Sequence, residues 1–296
     1  MKTKGIFAHR SALSQLFMLL SFVLLGAVVS TMISSLLLFS FHGLTVDFNL
    51  AQHPEVLRVS QLISAIWSFL LPSFALAWFC SDNISDYLSL KRLSNREVWL
   101  ITFLSILLIS PSITLVGALN GAMTLPDFMA PIEEWMRSRE DMAEKFTQII
   151  LSGNGFATLL ANLVVVAAAA GLTEEFLFRG ALQRVIGKVT TNPHTAIWLT
   201  AILFSAFHLQ FYGFVPRMLL GAYLGYLLYW SKSIWLPVFA HFTNNSIAVI
   251  GNYSSWKDRE FISGEIQPDH YLTFGLVAII TLGVFIAINQ HLKRIL

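Results

Sequence analysis

Two adjacent glutamates and an arginine sit in a stretch that otherwise reads as membrane-spanning helix, the run from Ala167 to Arg179 that carries Glu174, Glu175 and Arg179. Ionised side chains are costly in hydrocarbon and are found there when they line a cavity, pair with one another or do chemistry. Two further apolar segments each bring a histidine, His208 and His241, and Asn245 follows the second by one helical turn. A glutamate in a low-dielectric cavity can act as general base on water, and a histidine beside it can orient the same water or shuttle its proton. A second histidine and a carboxamide are donors that can stabilise an oxyanion as an amide carbonyl becomes tetrahedral. Together they describe a hydrolase with water as the nucleophile. Cys80 lies in another span and there is no G-x-S-x-G elbow, so nothing stands out as a covalent nucleophile. Metal-assisted hydrolysis is the alternative, with Glu174, His208 and His241 as three zinc ligands and water as the fourth. No H-E-x-x-H occurs, and spacing alone leaves a zinc site assembled from three helices open.

Helical geometry divides the labour. Glu175 and Arg179 are four apart, on one face and in the favoured order for an ion pair. Glu174 and Arg179 are five apart and share no stripe. Glu175 is therefore expected to be neutralised by Arg179 in a supporting pair, with Glu174 turned toward the histidines. His241 and Asn245 share a face by the same four-residue spacing, as do Phe204 and His208, which makes Phe204 a supporting residue.

The elements that must position these groups are membrane helices. The chain has 296 residues, of which 55% are hydrophobic and 12% charged; a soluble domain carries about twice that charge fraction. Eight candidate spans follow, at 14–40, 58–80, 98–119, 156–187, 194–212, 214–230, 233–251 and 271–290, giving an all-α polytopic transmembrane bundle with its catalytic core in spans four to seven. The expected division is 1–155 for the N-terminal spans and an outer amphipathic segment, 156–250 for the core, and 251–296 for an outer loop and the last span. The first apolar run is too long for a signal-peptide core and is expected to remain as an anchor. The fifth and sixth spans are separated only by Tyr212-Gly213, which requires a tight turn. The net charge of +2 comes without a basic stripe of interleaved aromatics, so no nucleic-acid partner is expected.

Charge sets the orientation. With the N-terminus in the cytoplasm, the inner side holds Lys2, Lys4, Arg10, Lys91, Arg92, Arg96, Arg184, Lys188, Lys232, Lys293 and Arg294, against Arg58, Arg137, Arg139, Lys145, Arg217, Lys257 and Arg259 outside, eleven to seven. The reading is N-in and C-in. Counting from the span ends at about 1.5 Å per residue, Glu174, His208, His241 and Asn245 lie roughly 13–21 Å from the inner boundary, so three antiparallel spans bring their polar groups to one layer. The 120–155 connection repeats Ile132, Trp135, Met136, Met142, Phe146 and Ile149 near helical spacing. It is expected to form an amphipathic helix on the outer leaflet that partly caps the bundle and takes no part in chemistry.

Plainer alternatives weigh differently at different residues. The six other histidines fall at span ends, where a satisfied polar residue is the simplest account. Gly221 and Gly225 form a small-xxx-small pair that points to helix packing. Glu174 and Glu175 could serve a proton-coupled transporter, but no internal repeat of the kind such proteins carry is visible.

Three motifs stand in order: Glu174-Glu175-Phe176-Leu177-Phe178-Arg179-Gly180 fits E-E-x-x-x-R, Phe204 to His208 fits F-x-x-x-H, and His241 to Asn245 fits H-x-x-x-N. Over 156–250 the chain resembles the CPBP intramembrane proteases, which include type II CAAX prenyl endopeptidases and bacteriocin-processing or abortive-infection relatives. The resemblance implies that Glu174 and His208 activate water, that His241 and Asn245 form the oxyanion hole, and that Glu175 and Arg179 support the site or touch substrate. It implies a peptide or lipid-modified protein substrate, membrane lipid as surroundings, and a multi-pass protein of a bacterial plasma membrane. Members of the family are often called metalloproteases. An asparagine amide is a poor zinc ligand and a good donor, so the preferred expectation is a metal-free mechanism with zinc as the alternative. A non-proteolytic relative that sequesters a peptide or confers immunity is the non-enzymatic alternative.

Overall fold

A computed structural model describes residues 4–42, 53–190, 192–254, 260 and 266–296. Lys2, Lys257 and Arg259 of the charge count lie outside the described residues, as does part of the 252–270 connection. Among the described residues the fold is helical throughout, with no strand. In chain order the helices are α1 (Ala12–His42), α2 (Pro54–Cys80), α3 (Arg96–Gly121), α4 (Ala130–Leu151), α5 (Phe156–Gly187), α6 (Pro193–Phe207), α7 (Phe214–Ser231), α8 (Trp235–Tyr253) and α9 (Tyr271–Ile295). Their outer surfaces are strongly apolar: Leu24, Leu25 and Leu36 on α1 and Ile279 and Ile280 on α9 are all more than 60% exposed. Such a surface belongs against lipid. The protein is an integral membrane helix bundle.

Five of these helices, α1, α2, α3, α5 and α9, are long and apolar enough to cross a membrane. The other three of the eight expected spans form shorter or less apolar helices. Helix α6 is apolar but has 15 residues, about 22 Å of rise against a hydrocarbon core of about 30 Å. Helices α7 and α8 have 18 and 19 residues, and polar groups such as Arg217, His241, Asn244 and Asn245 dilute their apolarity. The turn between α6 and α7 is also longer than expected. Helix α6 stops at Phe207, Leu209 takes a left-handed backbone (φ 52°), and the connection runs through 208–213. The apolar Leu209 and Phe211 disguised that break in the sequence pattern.

Helix starts follow ordinary capping chemistry. Asn95 accepts from the Glu97 amide at 3.0 Å to open α3, and Asn192 accepts from the His194 amide at 2.9 Å ahead of Pro193 to open α6. Helix α2 has a wide turn at Ile66–Leu70, just before Pro72, which cannot donate into the helical ladder. Helix α1 crosses α2 at that turn with backbone nearly touching backbone: a Cβ on Gly26 would lie 1.9 Å from the Trp67 carbonyl oxygen. The segment between α2 and α3 docks on the start of α8. Ser89 O accepts the Ile234 amide at 2.8 Å, Leu90 O accepts Trp235 Nε1 at 3.2 Å, and Lys91 O accepts the Ser233 hydroxyl. The helix that carries His241 and Asn245 is thereby seated from below.

Candidate active site

Small residues bring α5 and α8 together. A Cβ on Gly171 would lie 3.0 Å from the Phe242 backbone nitrogen, so glycine is what permits this approach. Glu174 and Glu175, three and four residues on, lie on the same side of α5. Helix α5 is irregular on both sides of them, with wide turns at Leu163–Ala169 and Phe176–Leu182. Turns of this kind are concentrated at functional sites because they release carbonyls and re-aim side chains.

Arg179 and Glu175 are fully buried. Arg179 Nη1 donates to Glu175 Oε1 at 2.6 Å, and Nη2 donates to the Gly221 carbonyl at 2.9 Å. The expected pair is present, but Glu175 does more than pair with Arg179. The same Oε1 meets His241 Nδ1 at 2.8 Å. An oxygen that already accepts from the guanidinium accepts here too, so Nδ1 carries the hydrogen and donates it. His241 therefore points Nε2 in the opposite direction, where Glu174 Oε2 lies 3.9 Å away. Arg179, Glu175, His241 and Glu174 stand in one line of polar groups across α5 and α8.

His208 enters through Phe204. His208 caps the end of α6: its amide bonds the Ser205 carbonyl at 3.2 Å, and Nδ1 lies 2.9 Å from the Phe204 carbonyl. A carbonyl can only accept, so Nδ1 donates and the neutral ring keeps its free lone pair on Nε2. The Phe204 ring meets the His208 ring edge-on at 5.1 Å and the His241 ring at 6.0 Å, and carries the Arg179 guanidinium 4.5 Å above it. One aromatic ring thus spaces both imidazoles and the arginine. A Cβ on Gly221 would sit 3.1 Å from that ring and 3.2 Å from Arg179 Nη2, so this glycine serves the site as well as the packing expected of it. Among the described residues, Glu174 and His208 share no hydrogen bond or ion pair.

Asn245 donates one amide hydrogen to the Val166 carbonyl at 3.0 Å, and its oxygen accepts from Asn244 Nδ2 at 3.2 Å. Val166 lies in the first wide turn of α5. Asn245 is therefore held in place by α5, and its second amide hydrogen remains for another acceptor. Glu175 Oε2 and Arg179 Nε are buried without a hydrogen-bond partner among the described residues. Orphaned polar atoms of this kind are uncommon in a settled core.

Among the described residues no group of three His, Cys, Asp or Glu is positioned to hold a metal. Phe204 packs against both imidazoles, whose Nδ1 atoms are committed and whose Nε2 atoms are the ones left to act.

Residues outside the motifs position the site. Asn120, at the end of α3, accepts the Val215 amide at 2.9 Å and donates to the Phe211 carbonyl at 3.2 Å. It thereby caps α7 and fixes the loop that follows His208. Helix α4 lies over that loop: Trp135 packs on Phe211 with ring centroids 5.2 Å apart, Arg137 stands 4.5 Å over the Tyr212 ring, and Glu140 accepts from Gln210 Nε2 and the Tyr212 amide, each at 3.2 Å. No residue of α4 is buried, in keeping with an amphipathic surface helix. Arg58 ties down its far end by donating to the Ile150 and Ser152 carbonyls and to Asn162 Oδ1. The hydrogen-bonding capacity of Asn120, Glu140 and Arg58 was visible in the sequence, but nothing there named their partners. A mainly apolar groove of about 680 Å³ is lined by Arg92 and by residues that include Ala168 and Leu172 of α5 and Trp235, Val238, Phe239 and Phe242 of α8.

Residues 156–247 match the family model described as type II CAAX prenyl endopeptidase Rce1-like. That interval contains Glu174, Glu175, Arg179, Phe204, His208, His241 and Asn245. No curated protein and no solved structure matches the chain.

Proposed function

We propose that this chain, whose segment 156–247 matches the model described as type II CAAX prenyl endopeptidase Rce1-like, belongs to the CPBP/CAAX proteases and hydrolyses a peptide bond of a membrane-associated or lipid-modified substrate with water activated by Glu174 and His208. The observation that carries the reading is the shared Glu175 Oε1. It holds Arg179 on one side and His241 Nδ1 on the other, and so aims His241 Nε2 at the Glu174 carboxylate.

In this mechanism water sits between the Glu174 carboxylate and the free Nε2 of His208. Glu174 takes its proton as the water oxygen attacks the scissile carbonyl carbon. The carbonyl oxygen becomes an oxyanion and receives the free amide hydrogen of Asn245. Flanked by two carboxylates, His241 can hold a second proton on Nε2 and donate it to the same oxygen. Collapse of the tetrahedral intermediate breaks the C–N bond, and the proton on Glu174 passes to the departing amine. Arg179 and Glu175 keep His241 in register without touching substrate. The apolar groove beside Leu172 and Phe242 suits a hydrophobic substrate segment arriving from the lipid. The site lies in the membrane, and the positive-inside excess favours cytoplasmic termini in a bacterial plasma membrane.

The test is release of the C-terminal tripeptide from a farnesylated C-a-a-X peptide by the purified protein in lipid nanodiscs. Glu174→Gln and His208→Ala are each expected to lower turnover by about 10²–10⁴-fold, the usual worth of a positioned acid–base group, while leaving thermal unfolding unchanged. Turnover retained in both variants would refute the assignment of the base. The natural substrate is then captured on Glu174→Gln and identified by mass spectrometry.

A further inference from the structure

Arg217, in the first turn of α7, belongs to none of the three motifs, yet its side chain is bonded to the loop that leaves His208, at Gln210, two residues on. Its guanidinium is fixed from behind: Nη2 donates to Gln210 Oε1 at 2.8 Å, and Gln210 is held in turn by Glu140. It lies across Gly213, where a Cβ would come within 3.1 Å of Nη2. Nη1 is buried and has no hydrogen-bond partner among the described residues. Among the described residues no carboxylate forms an ion pair with Arg217. Glu140 directs Oε1 to Gln210 and Oε2 to the Tyr212 amide. A partly buried cation at the edge of a membrane site calls for an anion. Here the scaffold orients one half of the guanidinium fork and leaves the other half without a partner, on the loop that follows His208.

We propose that Arg217 receives the free C-terminal carboxylate of the peptide substrate and so sets how far from its end the chain is cut. This rests on the hydrolase reading given above. A terminal carboxylate matches the planar fork of arginine, and such charge-assisted contacts are short and strong. In a C-a-a-X substrate three residues separate the scissile bond from that carboxylate, about 10 Å of extended chain. An anchor of this kind makes the enzyme count residues from the terminus while reading little of their side chains.

The experiment compares two farnesylated peptides identical except for a C-terminal acid or amide. Their affinities for the Glu174→Gln protein in nanodiscs are measured by fluorescence anisotropy, and their kcat/KM values on the otherwise unaltered protein. The acid is expected to be favoured by about 10-fold or more in both, the scale of one charge-assisted hydrogen bond. Arg217→Gln should bring the acid-to-amide ratio to about one, and Arg217→Lys, which keeps the charge and loses the fork, should restore part of it. A ratio of one in the unsubstituted protein, or a preference that survives Arg217→Gln, overturns the proposal. So does an anionic-phospholipid dependence of stability that disappears in Arg217→Gln while the peptide ratio persists, because a headgroup phosphate is then the ligand. Binding is read without turnover. An acid preference in binding with no cleavage by the unsubstituted protein would therefore refute the hydrolase reading and leave the carboxylate site standing.

Discussion

Removing Arg179 should destabilise the protein more than any other single truncation at the site. Arg179→Ala deletes the 2.6 Å bond to Glu175, the 2.9 Å bond to the Gly221 carbonyl and the cation over the Phe204 ring. It leaves the Glu175 carboxylate, whose side chain has 0% exposure, with His241 as its remaining polar partner. Breaking a buried pair by deleting one member costs about 3–5 kcal/mol, because the surviving charge is stranded away from water. Against a total stability of about 5–15 kcal/mol that is a large share. At roughly 2–4 °C per kcal/mol the midpoint should fall by about 6–20 °C. The protein supplies its own reporter: Cys80, its single cysteine, is buried, so a thiol-reactive dye reads unfolding in detergent. Arg179→Ala/Glu175→Gln should recover stability relative to Arg179→Ala, since the uncompensated charge is gone. A midpoint for Arg179→Ala within about 2 °C of the parent would refute the reasoning, as would losses in the double variant that simply add.

Two further outcomes follow from geometry away from the catalytic groups. Gly26→Ala drives a methyl against the Trp67 backbone and should cost about 1–3 kcal/mol through forced separation of α1 and α2; Gly283→Ala on α9, where a Cβ meets nothing within 4 Å, should be neutral or mildly stabilising in the same thiol assay. At the start of α4, Glu133 accepts from the Leu125 amide at 2.7 Å and from Arg137, and these donors hold its carboxyl below its usual value of 4.5. A depressed folded-state value means that its contribution is present above about pH 4.5 and is lost as pH falls through the lower value. Hydrogen exchange at Leu125 should therefore accelerate in acid, and Glu133→Gln should show that exchange already raised at neutral pH. An unchanged rate in the variant would show that the contact does not hold the helix start.

Much of the site could be read along the chain because it rests on local periodicity. Glu175 and Arg179 pair because positions four apart share a helical face, and that survives even across the wide turn at Phe176–Leu182. Membrane residence followed from composition, since long apolar runs leave few other places to go. The second role of Glu175 could not be foreseen: its acceptance from His241 depends on how closely α5 approaches α8, set by Gly171 against the Phe242 backbone. The end of α6 was misplaced because Leu209 and Phe211 kept the pattern apolar while the backbone turned left-handed at Leu209. With α6 ending early, His208 became a helix terminus, and its Nδ1 was committed to the Phe204 carbonyl.

The sequence by itself determined which groups would be costly in lipid, and hence that Glu174, Glu175, Arg179, His208 and His241 needed partners. Tertiary structure alone decided the partners: which nitrogen of each imidazole is free, that Val166 holds Asn245, that Asn120 and Glu140 fix the loop after His208, and that half of the Arg217 fork stays open. The physical reason is range. The need for a charge partner is a property of the residue and its immediate surroundings, whereas the partner's identity depends on contacts between helices distant in sequence, with angstrom-scale separations set by the volumes packed between them.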